Sequence, residues 1–191
     1  MALPGLILLA VILIAVFYVI FIYNNLVSLK HAVSKAWSNI DVLLKQRHDE
    51  LPKLVEVCRQ YMQYEQDTLE KIIKARSAVM SAQDKGDIKG LGQAENALRF
   101  GLGNLFALAE NYPELKANNS FQQLQARISQ LENSIADRRE VYNEAVNLNN
   151  VRIEQFPDVL IARMFNFKDF DLLEFTEEAK RDVNIRNLFN T

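Results

Sequence analysis

The sequence predicts an all-α protein: an N-terminal transmembrane helix continuing into an antiparallel four-helix bundle, with short helical segments at the C-terminus. Three observations carry this. From Leu6 to Ile22 every residue is apolar or aromatic. Beyond it the apolar positions recur at three- and four-residue intervals, the repeat of an amphipathic helix. Only 4 prolines and 6 glycines interrupt 191 residues, and no alternating β pattern of useful length occurs.

The first element is the apolar stretch, residues 6–23, behind a tail of residues 1–5. At about 1.5 Å per residue, Leu3 to Tyr23 covers roughly 30 Å, the thickness of a bilayer's hydrocarbon core. Pro4 and Gly5 lie at its outer end, and Tyr23 suits the interface. A cleaved signal peptide is disfavoured, because no Lys or Arg precedes the run and no A-x-A-like site follows it. The bilayer is therefore the first expected partner. Lys30, Lys35, Lys45 and Arg47 follow the span and nothing basic precedes it. The positive-inside rule puts the bundle in the cytoplasm, with an outward-facing bundle as the alternative.

Residues 24–157 form the expected bundle. Its first helix carries Leu26, Leu29, Val33, Ala36, Trp37, Ile40, Leu43 and Leu44. Asp49 caps a second helix with Pro52 in its first turn, where the missing N–H is harmless, and its core stripe ends near Val79 and Met80. The segment Ala82–Gln93, with Gly86, Gly90 and Gly92, reads as the main loop. A third helix starts near Gln93 and ends at Asn111-Tyr112-Pro113; Gly101 and Gly103 within it mark close backbone approach. The fourth opens near Ser120 and stops at Phe156-Pro157. Short connections between amphipathic helices imply antiparallel neighbours.

Several ordered motifs resemble the LemA family. They are Tyr23-Asn24-Asn25-Leu26-Val27, then Ala36-Trp37-Ser38-Asn39-Ile40-Asp41-Val42, and Leu44 to Val55 with Asp49-Glu50-Leu51-Pro52 at its centre. Glu110-Asn111-Tyr112-Pro113-Glu114-Leu115-Lys116-Ala117 follows, then Leu131-Glu132, Ile135-Ala136, Arg138-Arg139 and Tyr142-Asn143, and finally Phe156-Pro157. The resemblance covers about residues 20–175. It implies a single-pass protein of the bacterial inner membrane with a helical bundle, and no established enzymatic activity. In one departure, the family tends to place a glycine before the phenylalanine near Phe167, where this chain has Asn166.

Chemistry is sparse. Lys+Arg total 22 against 24 Asp+Glu, a net charge of −2, which disfavours a nucleic-acid partner. A di-iron bundle needs Glu-x-x-His pairs, and neither His31 nor His48 has a glutamate three residues before it. No phosphate loop, dinucleotide fingerprint or H-E-x-x-H motif occurs, so no metal, cofactor or catalytic residue is expected. Cys58 lies on an apolar stripe and reads as a buried, inert thiol.

Two constellations remain. Glu65, Arg76, Glu132 and Arg139 lie on or beside apolar stripes and form the candidate buried polar network, since an uncompensated charge inside a bundle costs several kcal/mol. Phe165, Phe167, Phe170 and Phe175 crowd the tail, residues 158–191, and form the candidate interaction surface. They close the end of the bundle, dock a neighbouring subunit or meet lipid. The function expected is a self-assembling membrane scaffold that binds copies of itself or other membrane proteins, with no chemical activity. The alternative is a ligand sensor or enzyme using a polar cleft among the four charged residues.

Overall fold

The computed structural model describes residues 2–174, and side chains from Pro4. Six helices follow in order: α1 (Ala2–Tyr61), α2 (Gln66–Lys85), α3 (Ile88–Ala109), α4 (Pro113–Lys116), α5 (Asn119–Glu154) and α6 (Asp158–Met164). No strand occurs among the described residues, so the protein is all-α as its sequence predicts.

The helix boundaries depart from expectation at two places. Asp49 and Pro52 start no second helix: α1 runs uninterrupted through both to Tyr61. An interior proline removes a helical hydrogen bond, that of residue 52 to the carbonyl of residue 48, and crowds that carbonyl. Here the His48 carbonyl accepts instead from Arg76 Nε at 3.0 Å, so the freed group keeps a partner. The break falls at 62–65, where no glycine or proline marks it. Buried Met62 and Leu69 flank the turn, while Asn118 donates to the Tyr61 hydroxyl at 3.1 Å.

The second departure is the expected loop at Ala82–Gln93, which shrinks to two residues. Gly86 adopts a left-handed φ of 65°, and the amides of Gly86 and Asp87 return to Gln83 O and Ala82 O at 3.1 and 3.0 Å. Asp87 then caps α3, its Oδ1 accepting from the Gly90 amide at 2.9 Å. Each device satisfies helix-end groups that a long loop would leave to water. The α5 start is capped likewise, Asn118 Oδ1 accepting from the Phe121 amide at 3.1 Å.

Two compact units divide the described residues: 2–38 with Glu140–Asp171, and Asn39–Arg139 with 172–174. The second is built on Ile40, Leu44, Leu51, Leu54, Cys58, Ile72, Leu91, Leu98, Leu102, Leu105, Phe121, Ile128 and Leu131, all buried. Gly101 sits where an added Cβ would lie 3.2 Å from Ile72 Cγ1, and Gly92 where a Cβ would strike the Glu174 carbonyl. Gly103 has open space around it, so close approach explains the first of the paired glycines and not the second.

The first unit holds the apolar stretch, whose side chains are bare through Tyr18 before Ile22 is buried at its end: Leu6, Ile14, Phe17 and Phe21 are 62–71% exposed. This helix is long and apolar enough to cross a membrane. Farther along α1, Ile22 and Leu26 are buried with Ile161 and Ala162 of α6. Trp37 packs on Tyr142 of α5, ring centroids 5.6 Å apart.

Candidate functional site

The centre of the second unit is an arginine. Arg47 occupies a core position of α1, between Leu44 and Leu51, and is 1% exposed. Its Nη2 meets Glu95 of α3, itself 1% exposed, and its Nη1 reaches Glu132 Oε1 of α5 at 2.5 Å. Arg99 Nε stands 3.5 Å from the second Glu132 oxygen. Two arginines and two glutamates thus balance one another. Burial opposes the Arg47 charge, but Glu95 and Glu132 outweigh it and hold the guanidinium protonated above the ordinary arginine range. Burial also pushes the Glu95 carboxyl upward, against the pull of Arg47. Arg47 Nε and Glu95 Oε2 are buried without a hydrogen-bond partner among the described residues. The cluster joins α1, α3 and α5 through paired charges, whose attraction is set against the cost of taking each group out of water.

Of the four charged residues singled out from sequence, Glu132 joins this cluster. Arg76 instead serves His48: besides the bond to its carbonyl, Nη2 lies 2.6 Å from His48 Nε2. With the guanidinium donating, Nε2 accepts and the imidazole is the neutral Nδ1–H tautomer. Burial, and then the Arg76 charge, hold the His48 pKa below 6.5. A surface hollow of about 450 Å³, lined by His48, Ser77, Met80, Ser81, Asp84 and Lys85, opens beside the pair. Glu65 is half-buried in the α1–α2 turn, where its carbonyl, not its carboxylate, accepts from the Thr68 and Leu69 amides at 3.1 and 3.2 Å. Arg139 is half-buried on α5 and engaged.

Arg47 and Glu95 were legible in principle. Leu44, Arg47, Leu51 and Leu54 keep the 3–4 spacing, as do Leu91, Glu95, Leu98 and Leu102. Beginning a helix at Asp49, and another near Gln93, hid both runs. Cys58 is buried and free, and burial pushes its thiol up to about 12, too high for a nucleophile at neutral pH. No cluster of metal-ligating side chains occurs among the described residues.

Residues 158–171 of the aromatic tail lie in the first unit. Phe165 and Phe167 rest on Tyr23 of α1, ring centroids 4.7 and 5.8 Å away. Asn150 holds the segment by both sides of its amide, donating to Phe170 O at 2.8 Å and accepting from Phe170 N at 3.0 Å. Tyr142 donates to Asp171 O at 3.0 Å. Asn166 takes φ 57°, a left-handed conformation that glycine adopts freely and asparagine tolerates. A groove of about 600 Å³ runs beside the tail, bounded by Tyr23, Lys30, His31, Asn149, Phe167 and Lys168 among others. Phe175 lies outside the described residues.

The LemA family model matches residues 36–186. Protein LemA of Metamycoplasma hominis is 27% identical over 180 residues, covering 93% of this chain and 81% of that protein. Magnetosome protein MamQ 2 of Paramagnetospirillum magneticum is 24% identical over 186 residues, covering 85% of this chain and 68% of its own. Magnetosome protein MamQ of Magnetospirillum gryphiswaldense is 22% identical over the same length. With the family model covering most of the sequence and the bare apolar helix preceding it, this is a membrane-associated protein, and the chain belongs to the LemA family.

Proposed function

We propose that the chain is a membrane-anchored helical scaffold that assembles with copies of itself and presents its bundle to other membrane proteins. The observation that carries this reading is α1, one unbroken helix with bare apolar side chains at one end and core positions such as Leu44, Arg47 and Leu51 at the other. Residues 6–23 hold the bilayer, and the basic flank from Lys30 keeps the bundle on the cytoplasmic side of the cell membrane.

Anchoring supports assembly physically, because copies confined to one plane lose less orientational freedom on meeting. The proposed self-contact is the tail around Phe170, half-buried and held by Asn150. The competing reading, a sensor or enzyme in a cleft of Glu65, Arg76, Glu132 and Arg139, draws less support, since Glu132 is committed to Arg47 and Arg76 to His48. Mass photometry of the full chain in mild detergent, with photocrosslinking from position 170 in membranes, tests the scaffold. A discrete oligomer crosslinked at the tail is expected. A monomer that captures neither its own copies nor another membrane protein overturns it.

A further inference from the structure

The last described helix sits beside the membrane end of α1. Ile161 and Ala162 of α6 bury against Ile22 and Leu26, with Val19 and Phe167 packed around them. Val19 precedes Tyr23 by four residues, so at 1.5 Å per residue this contact reaches about 6 Å into the apolar stretch. Ile20 and Phe21, at the same level of α1, are 49 and 63% exposed, so whatever covers them also reaches α6.

The outer face of α6 carries Leu160 and Met164 on either side of Arg163, with Phe156 in the turn before the helix. Leu160 and Met164, four residues apart on α6, are 58 and 64% exposed; Phe156 in the preceding turn is 80% exposed and Phe165 after the helix 50%. Asp158, 3% exposed, is ion-paired with Arg152. Arg163 is exposed on α6 and its stem is long enough to carry the guanidinium to the headgroups. Lys30 and Lys168 line the neighbouring groove, at the level where lipid phosphates would lie.

We propose that residues 156–165 form an interfacial wedge, a second membrane contact that sinks its apolar edge into the same leaflet from which α1 emerges. This rests on the reading of α1 as a span. The occupant is the boundary between acyl chains and headgroups, where an amphipathic segment settles about 5–10 Å deep. The depth of the Val19 contact, continuous with the bare apolar side chains of α1, favours lipid over a protein partner.

Depth-dependent fluorescence quenching tests it. The full-length Cys58→Ala protein carries one environment-sensitive label at Leu160→Cys, Met164→Cys, Leu13→Cys or Gln130→Cys, with helical content checked by circular dichroism. Each is reconstituted into phosphatidylcholine vesicles containing nitroxide lipids labelled either near the glycerol or near the chain end. The labels at 160 and 164 should be quenched at least about twofold more by the shallow nitroxide than by the deep one. The label at 13 should show the reverse order, and the label at 130 should respond to neither. Quenching at 13 with none at 160 and 164 overturns the wedge and leaves the anchor standing. No quenching at 13 overturns the anchor, and the wedge with it. Shielding of 160 and 164 from aqueous iodide without lipid quenching means that protein covers them, which also overturns the proposal.

Discussion

Arg76 donates to the carbonyl oxygen of His48 at 3.0 Å, the oxygen that Pro52 leaves without its helical amide. A side chain from α2 thereby completes the hydrogen bonding of α1, and the helix passes through a proline that would otherwise end it. Arg76→Ala should destabilise the protein by about 1.5–3 kcal/mol, the range for a hydrogen bond from a charged donor. Restoring the amide with Pro52→Ala should reduce that loss, giving a coupling above about 0.5 kcal/mol in a double-mutant cycle. Urea unfolding of the four proteins measures it, and strict additivity would mean that Arg76 acts through its imidazole contact and packing, not through the carbonyl that Pro52 frees.

The Arg47 cluster makes a different prediction. Truncating one member leaves a buried charge uncompensated, so Arg47→Ala should cost about 3–5 kcal/mol. Glu132→Ala should cost less, roughly 3 kcal/mol, because Glu132 is 16% exposed and Arg47 keeps Glu95. The paired apolar replacement Arg47→Met with Glu95→Leu should be closer to neutral than either single change. Thermal unfolding in detergent orders these variants. A double variant as damaged as Arg47→Ala would show that the charges contribute more than they cost.

His48 sets a pH dependence. Its folded pKa lies below 6.5, through burial and then the Arg76 charge, so the unfolded chain binds the proton first. Its contribution to stability is therefore present above about pH 6.5 and is lost as pH falls through the folded value. The unfolding midpoint should fall more between pH 7.5 and 5.5 in the wild type than in His48→Gln. Parallel pH profiles would remove His48 from the explanation.

Topology is open to direct labelling. Buried Cys58 should stay silent toward a membrane-impermeant maleimide in intact cells. A cysteine at Ala2 should react and one at Lys85 should not. Lys85 is exposed, and a label there leaves the Asp87 cap of α3 intact. Labelling only at 85 would reverse the orientation.

At Asn166, with its φ of 57°, Asn166→Gly should be neutral or stabilising, since glycine carries no Cβ to strain. Asn166→Val should cost about 1–2 kcal/mol, the left-handed penalty. Equal stabilities by thermal unfolding would mean that the turn relaxes freely.

Local composition by itself determined the helical class, the apolar stretch and most of the core stripes, because a 17-residue charge-free run and a 3–4 repeat leave few alternatives. The motifs from Ala36 to Phe156 determined the family as well. The helix boundaries were decided by tertiary contacts. Pro52 is a local breaker overruled by Arg76, a residue 24 positions away, and the turn at 62–65 has no local breaker at all. The charged centre was readable only as far as the boundaries were: Glu132 stood on a recognised stripe, whereas Arg47 and Glu95 lay on stripes cut short by the misplaced starts at Asp49 and Gln93. A stripe reports that a position faces the core, but not which opposite charge it meets there. That Arg47 faces Glu95 and Glu132 follows only from bringing α1, α3 and α5 together, because partners 48 and 85 residues apart leave no local trace of one another in sequence.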